Sequence, residues 1–179
     1  MKARSKRETR FVEWMVVMAV VGILASIAVP SYRGMQRRAG NESMIFTGLL
    51  SSQDLFRWIG ASLRGERHTV DTDGDGDLLD ETLPIQNAGV LEAFARLHNG
   101  RLSRSGSLTQ EPLFTVEREG REVDDCARDG RIHLIPVTAP DGRILGAHVV
   151  VTNTLREGGP LGDGILASFR ARSGGEGER

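Results

Sequence analysis

Residues Trp14 to Val29 (WMVVMAVVGILASIAV) form an unbroken run of apolar or small side chains. As a helix this run reaches about 24 Å at 1.5 Å per residue, against a hydrocarbon core of about 30 Å. Counting Phe11 and Val12 brings it close to spanning length. Lys2, Arg4, Lys6, Arg7 and Arg10 crowd the residues before it, opposed only by Glu8. Beyond Pro30 the chain turns polar again with Ser31, Tyr32, Arg33, Arg37 and Arg38. Positive charge on the leading side predicts a cytoplasmic N-terminal side, a single inner-membrane pass and a translocated, periplasmic remainder. The expected organisation is a basic leader over 1–10, the membrane-spanning half of a helix over 11–31 and its amphipathic half over 32–64. A globular periplasmic region over 65–172 and a flexible polar tail over 173–179 complete it.

Composition removes several function classes. The chain has 179 residues, with 23 Lys+Arg against 24 Asp+Glu and a formal net charge of −1. That length is one ordinary domain with an appendage, and the balance argues against a dedicated nucleic-acid binder. Arg101, Arg104, Arg118, Arg121, Arg128 and Arg131 are scattered among acids and form no basic patch. The single cysteine, Cys126, excludes an intramolecular disulfide framework and any multi-cysteine zinc site. No nucleophile–base constellation and no phosphate loop is present, so an enzyme is not expected.

Two ordinary readings of the apolar run stand beside any special one. Ser26-Ile27-Ala28 supplies the small residues of a secretory signal peptide, and a plain uncleaved anchor fits equally. Glu13 suits neither, because a carboxylate inside a hydrocarbon segment is expensive and calls for a partner. The pattern Phe11-Val12-Glu13-Trp14-Met15-Val16-Val17, then Gly22-Ile23-Leu24-Ala25 and Val29-Pro30-Ser31-Tyr32, resembles the N-terminal segment of type IV pilins and pseudopilins. A weaker similarity continues through Arg38-Ala39, Glu42, Leu49 and Gln53, so the resemblance covers roughly the first third of the chain.

The resemblance implies a structural subunit of a type IV pilus-like filament or a secretion pseudopilus. In that family a prepilin peptidase removes the basic leader, the new N-terminal residue is methylated, and a glutamate at the fifth mature position neutralises a neighbouring subunit's amine. Carried over, Glu13 is the assembly glutamate and the cut falls between Glu8 and Thr9. The family pattern has glycine before the cut and phenylalanine after it, and this sequence departs from both. A cut between Arg10 and Phe11 restores the phenylalanine but moves Glu13 to the third mature position. The partners implied are other pilin-like subunits, the prepilin peptidase and the inner membrane, and the product would be a membrane protein that also forms a cell-surface filament. The alternative is a calcium-binding periplasmic or secreted domain delivered by an ordinary signal or anchor, with no filament.

Further along, Ile45, Leu49, Ser52, Phe56, Ile59 and Leu63 recur at steps of four and three, which predicts one apolar face of a continuing helix. Pro30 is expected to kink that helix without ending it, and Gly60 to Arg67 reads as its exit.

Asp71-Thr72-Asp73-Gly74-Asp75-Gly76-Asp77-Leu78-Leu79-Asp80-Glu81-Thr82 then places acids at alternate positions. Such acids converge when backbone wraps a hard cation, so Asp71, Asp73, Asp75, Asp77 and Glu81 are candidate ligands for a structural Ca2+. Thr82 stands where a calcium loop usually ends in an acid, and a solvated acidic turn is the plainer alternative.

The remainder reads as α+β, with the long N-terminal helix packed on a C-terminal antiparallel sheet. Ala88 to Asn99 predicts a short amphipathic helix stopped by Gly100, and Leu102 to Gln110 a loop. Leu113 to Val116, Ile132 to Val137, Ile144 to Val151 and Ile165 to Phe169 predict strands, with Ala139-Pro140-Asp141-Gly142 turning a hairpin. His133 and His148 would face one another across that hairpin as ordinary strand residues, while His68 and His98 would lie on the surface. Cys126, among Asp124, Asp125 and Asp129, is expected to be a buried or inert thiol, with an intermolecular disulfide as the alternative.

Overall fold

A computed structural model describes residues 6–104, 113–153 and 164–172. Within them lie α1 (Lys6–Arg64), α2 (Val90–Arg104) and four strands: β1 (Phe114–Val116), β2 (Ile132–Thr138), β3 (Ile144–Thr152) and β4 (Ile165–Arg172). Single 3-10 turns occupy Asn87–Gly89 and Val123–Asp125. The fold class is α+β, as the sequence predicts. Two compact units divide at residue 42, Met1–Glu42 and Ser43–Arg179. The expected leader residues 1–5, the loop residues 105–110 and the tail 173–179 lie outside the described residues.

The first unit's described residues are all helix, and α1 runs through Pro30. Its apolar side chains from Phe11 to Val29 are exposed. Ser26 donates its hydroxyl to the Ile23 carbonyl at 2.7 Å, which satisfies the one hydroxyl of the Trp14–Val29 run within the helix.

In the second unit, α1 ends where Gly65 takes a left-handed backbone (φ 65°). The amide of Glu66 then donates to Ala61 at 3.0 Å, the six-to-one bond of a Schellman motif. The buried side of α1 overlaps the predicted one, with Ser52 and Ile59 buried and Ile45 and Leu63 packed against the core, but it is rotated away from two of the predicted residues. Leu49 and Phe56 are exposed, while Gly48, Ser51, Ser52, Leu55, Trp58, Ile59 and Ser62 are buried. Small residues let the helix approach the sheet closely, and a Cβ on Gly48 would run into Val151 and stand 3.3 Å from Phe169. Bulky Leu49 and Phe56 cannot fit that seam and turn outward.

α2 carries Val90, Leu91, Phe94 and Ala95 into the same core. Phe94 meets Trp58 edge-on at 5.6 Å and Phe114 at 5.7 Å. Gly100, expected to stop this helix, lies inside it. A glycine ends a helix when it adopts positive φ, as Gly65 does, and Gly100 keeps a helical backbone.

The sheet has the order β1-β2-β3-β4. β2–β3 and β3–β4 pair antiparallel, but β1 pairs parallel to β2, so the sheet is mixed and the expected all-antiparallel sheet is corrected. Parallel return needs a crossover of about a dozen residues or more, and segment 117–131 supplies it. The Ala139–Gly142 turn forms as expected, with Gly142 donating to Ala139 at 2.9 Å and Ala139 to Arg143 at 2.8 Å.

Ile132, Leu134, Ala147, Val149 and Val151 face the helices. Ile135, Val150 and Ile165 form a second buried cluster with Cys126 on the opposite face, packed by Val123. The 117–131 crossover therefore acts as a strap that closes the sheet's other side.

Two asparagines finish the joints. Asn87 exchanges both amide bonds with Ile144 at 2.7 and 3.0 Å and also donates to Ser62 at 3.0 Å. Asn99 does the same for the outer edge of Phe114 at 2.9 and 3.0 Å.

Two glycine substitutions should move stability in opposite directions. Gly48→Ala gains about 1 kcal/mol of helix propensity but overpacks against a stiff β-branched neighbour, for a net loss of about 1–2 kcal/mol. Gly100 has open space where a Cβ would stand, so Gly100→Ala should gain about 0.5–1 kcal/mol. Urea unfolding of the two variants checks both signs.

Candidate functional site

The first candidate region is the apolar stretch of α1. One helix in the described residues is long and apolar enough to cross a membrane, and that window has none of its surface buried within the protein. Glu13 is the only acid between Phe11 and Val29 and is exposed. It shares a face with Arg10, Trp14 and Val17, which is the three-and-four spacing of neighbouring helical turns. The backbone at Glu8 and Thr9 is helical, so both proposed cuts fall within helix rather than in an extended segment.

The second candidate is the loop 71–82. Val70 anchors its start in the core, and buried Glu81 secures its end, its two oxygens accepting from the amide and the hydroxyl of Thr72. Between these anchors the backbone winds around Asp71. One carboxylate oxygen of Asp71 accepts from Gly74, and the other accepts from Gly76 at 3.1 Å. Asp73 then accepts from Asp75 at 3.1 Å, Asp75 from Asp77 at 2.7 Å, and Asp77 from Leu79 at 2.8 Å. This chain of Asx turns needs the positive φ of Gly74 and Gly76, 87° and 92°. At the neck, His68 Nδ1 donates to the Leu78 carbonyl at 2.9 Å.

The winding brings Asp71, Asp73 and Asp75 together, with one carboxylate oxygen from each lying within 4.8 Å of the others. Oxygens on a calcium ion at 2.3–2.6 Å are at most about 5 Å apart, so this set fits a hard divalent cation. Asp77 and Glu81 are not in that group: Asp77 braces the next turn, and Glu81 is occupied by Thr72. Arg101 of α2 forms an ion pair with Asp71. The negative charges are felt outside the trio too, since Asp75 chiefly, with burial, Asp73 and Asp77 behind it, holds the Asp80 carboxyl above its ordinary range.

His68 is exposed, as expected, but the other histidines are placed differently from expectation. His133 lies opposite Val150 and His148 opposite Ile135, so the two do not pair across the hairpin. The half-buried His148 is held below the ordinary imidazole range by burial first and the Arg170 charge second. His98 is not a free surface group: it stacks on Phe94 with centroids 4.0 Å apart and its Nε2 lies 3.3 Å from Asp54. Aromatic spacing of Phe94 and His98 at i and i+4 was the available signal. Cys126 is a free, buried thiol, as expected. Its burial, with Glu117 the next cause, pushes it up to about 11.

No family model matches this chain, and neither a curated protein nor a solved structure matches it significantly.

Like-charge repulsion in the loop predicts the direction of one substitution. Because the Asp80 carboxyl is raised in the folded chain, its ionisation opposes folding, and this opposition fades as the pH falls through its titration. Asp80→Asn should therefore raise the melting temperature of chelator-treated protein at pH 7, with the difference from wild type shrinking toward pH 4.

Proposed function

We propose that the chain is a pilin-like structural subunit, held in the inner membrane by α1 before assembly and packed through the same helix in a filament or pseudopilus afterwards. The observation that carries this reading is the character of α1 itself. A helix with an exposed apolar surface from Phe11 to Val29 and one acid near its start continues into a segment buried against a sheet. An anchor alone needs the first property and gains nothing from Glu13. An acid at mid-bilayer costs about 2.5–3.5 kcal/mol on insertion scales, less near the interface, and a neighbour's amine offsets that cost.

Phe46, Leu49, Leu50 and Phe56 support the same reading. They are exposed on the side of α1 away from its buried seam, an apolar surface suited to packing against other subunits' helices. The periplasmic unit would then face solvent, with a calcium ion on Asp71, Asp73 and Asp75 stabilising its acidic loop. The loop's convergence on those three carboxylates is also what favours the second reading, a calcium-binding domain on an ordinary anchor.

Intact mass and N-terminal sequencing of membrane-derived protein separate the two readings. A start at Thr9 or Phe11, with an added methyl group, is the expected result, whereas a start at Met1 or near Val29 favours the simple anchor or a secreted domain. Glu13→Ala should cut incorporation into filaments at least tenfold, roughly the loss of one paired charge. Thermal melting of the second unit should be unchanged by it. Normal incorporation of that variant would count against the assembly role of Glu13.

A further inference from the structure

The strap over residues 117–131 is fastened by a histidine that neither candidate region uses. His133, on β2, is 1% exposed and turned toward the strap side of the sheet, where Ile135 and Val150 also lie. Its Nδ1 is 2.8 Å from Glu117 Oε1, and its Nε2 is 3.0 Å from Asp129 Oδ1. Glu117 opens the strap and Asp129 lies near its close, so one ring touches both ends.

The charges around this ring are specific. Arg121 sits 3.0 Å from Glu117, and Arg131 lies 3.5 Å from Asp129. The Cys126 thiol feels the Glu117 charge. From β3, uncharged Thr152 places its hydroxyl 3.4 Å from Nε2 and 3.1 Å from the Arg131 carbonyl. An ionised carboxylate only accepts hydrogen bonds, so each ring nitrogen must donate. A neutral imidazole carries one N–H and leaves the other nitrogen's lone pair facing a carboxylate.

We propose that His133 is a buried imidazolium that pins both ends of the 117–131 strap to the sheet, and that loss of one ring proton as the pH rises releases the strap from one end. The closed state is the one in which both ring nitrogens carry protons and each donates to its carboxylate. In that state the strap seals Cys126, Ile135, Val150 and Ile165 from water. Once one ring proton is lost the seal loosens, and the buried Cys126 becomes reachable.

Two measurements on the full chain in detergent micelles test this. Nitrogen–proton correlation spectra of histidine-labelled protein at pH 6.5 should show both ring nitrogens of His133 protonated, with His68, His98 and His148 assigned by single glutamine substitutions. A ring with one protonated nitrogen at that pH, its shared proton resting on a carboxylate, would overturn the proposal.

The second measurement is alkylation of Cys126, read as the ratio of His133→Gln to wild type at each pH so that the thiol's own titration cancels. The variant should label about tenfold faster at pH 6.5, the scale of one charge-assisted hydrogen bond. The ratio should fall toward one at alkaline pH as the wild type also opens. A ratio that does not change with pH would overturn the release step. Should His133→Gln fail to fold, the wild-type spectra alone, followed from pH 6.5 upward, decide the matter.

Discussion

The close seam between α1 and the sheet is the contact on which the second unit depends. Gly48, Ser51 and Ser52 bring the helix near enough for Leu55, Trp58 and Ile59 to reach the aliphatic face of β2 and β3. α2 then fills the remaining space with Phe94 between Trp58 and Phe114. Without that seam the residues Leu134, Val149 and Val151 would face water, and no other described element presents enough apolar surface to replace it. The seam also decides what α1 leaves outside. Helical geometry places Phe46, Leu49, Leu50 and Phe56 away from the sheet, and their exposure is the cost of a small-residue contact.

Charge is handled in opposite ways in two places. The 71–82 loop concentrates acids and relieves their repulsion with backbone amides, one arginine and an arrangement that fits a cation. The 117–131 strap instead surrounds a buried ring with two carboxylates and places arginines on their outer sides. In the first, amide donors stand in for solvent around exposed carboxylates. In the second, burial forces the polar atoms to satisfy one another, because an unmatched group there costs more than in water.

The candidate functional region was more legible in the sequence than the detailed packing. Glu13 within an apolar run, and alternating aspartates with glycines between them, are local patterns whose chemistry follows from a few adjacent residues. The structure gathers Asp71, Asp73 and Asp75 because Asx turns are local too. Glu81 could not be assigned the same way: whether it turns toward the acids or back toward Thr72 depends on how Val70 and the loop end are buried. His133 gave no warning, since its two partners lie at opposite ends of one crossover, and only the fold brings both ends to the same ring.

The sequence by itself determined the apolar span, the α+β class, the helix exit within Gly60 to Arg67, the hairpin turn at Ala139–Gly142 and the crowding of acids in one loop. All of these rest on composition, periodicity or the backbone preferences of single residues. The tertiary structure decided which stripe of α1 is buried, that β1 runs parallel to β2, and that the sheet is covered on both faces. The consecutive apolar residues Val149-Val150-Val151 hinted at the last of these, since a strand open to water on one side alternates. The other two depend on how closely a helix approaches a sheet and on where a long connection returns. Those distances are set by side chains far apart in the chain, and no local pattern encodes them.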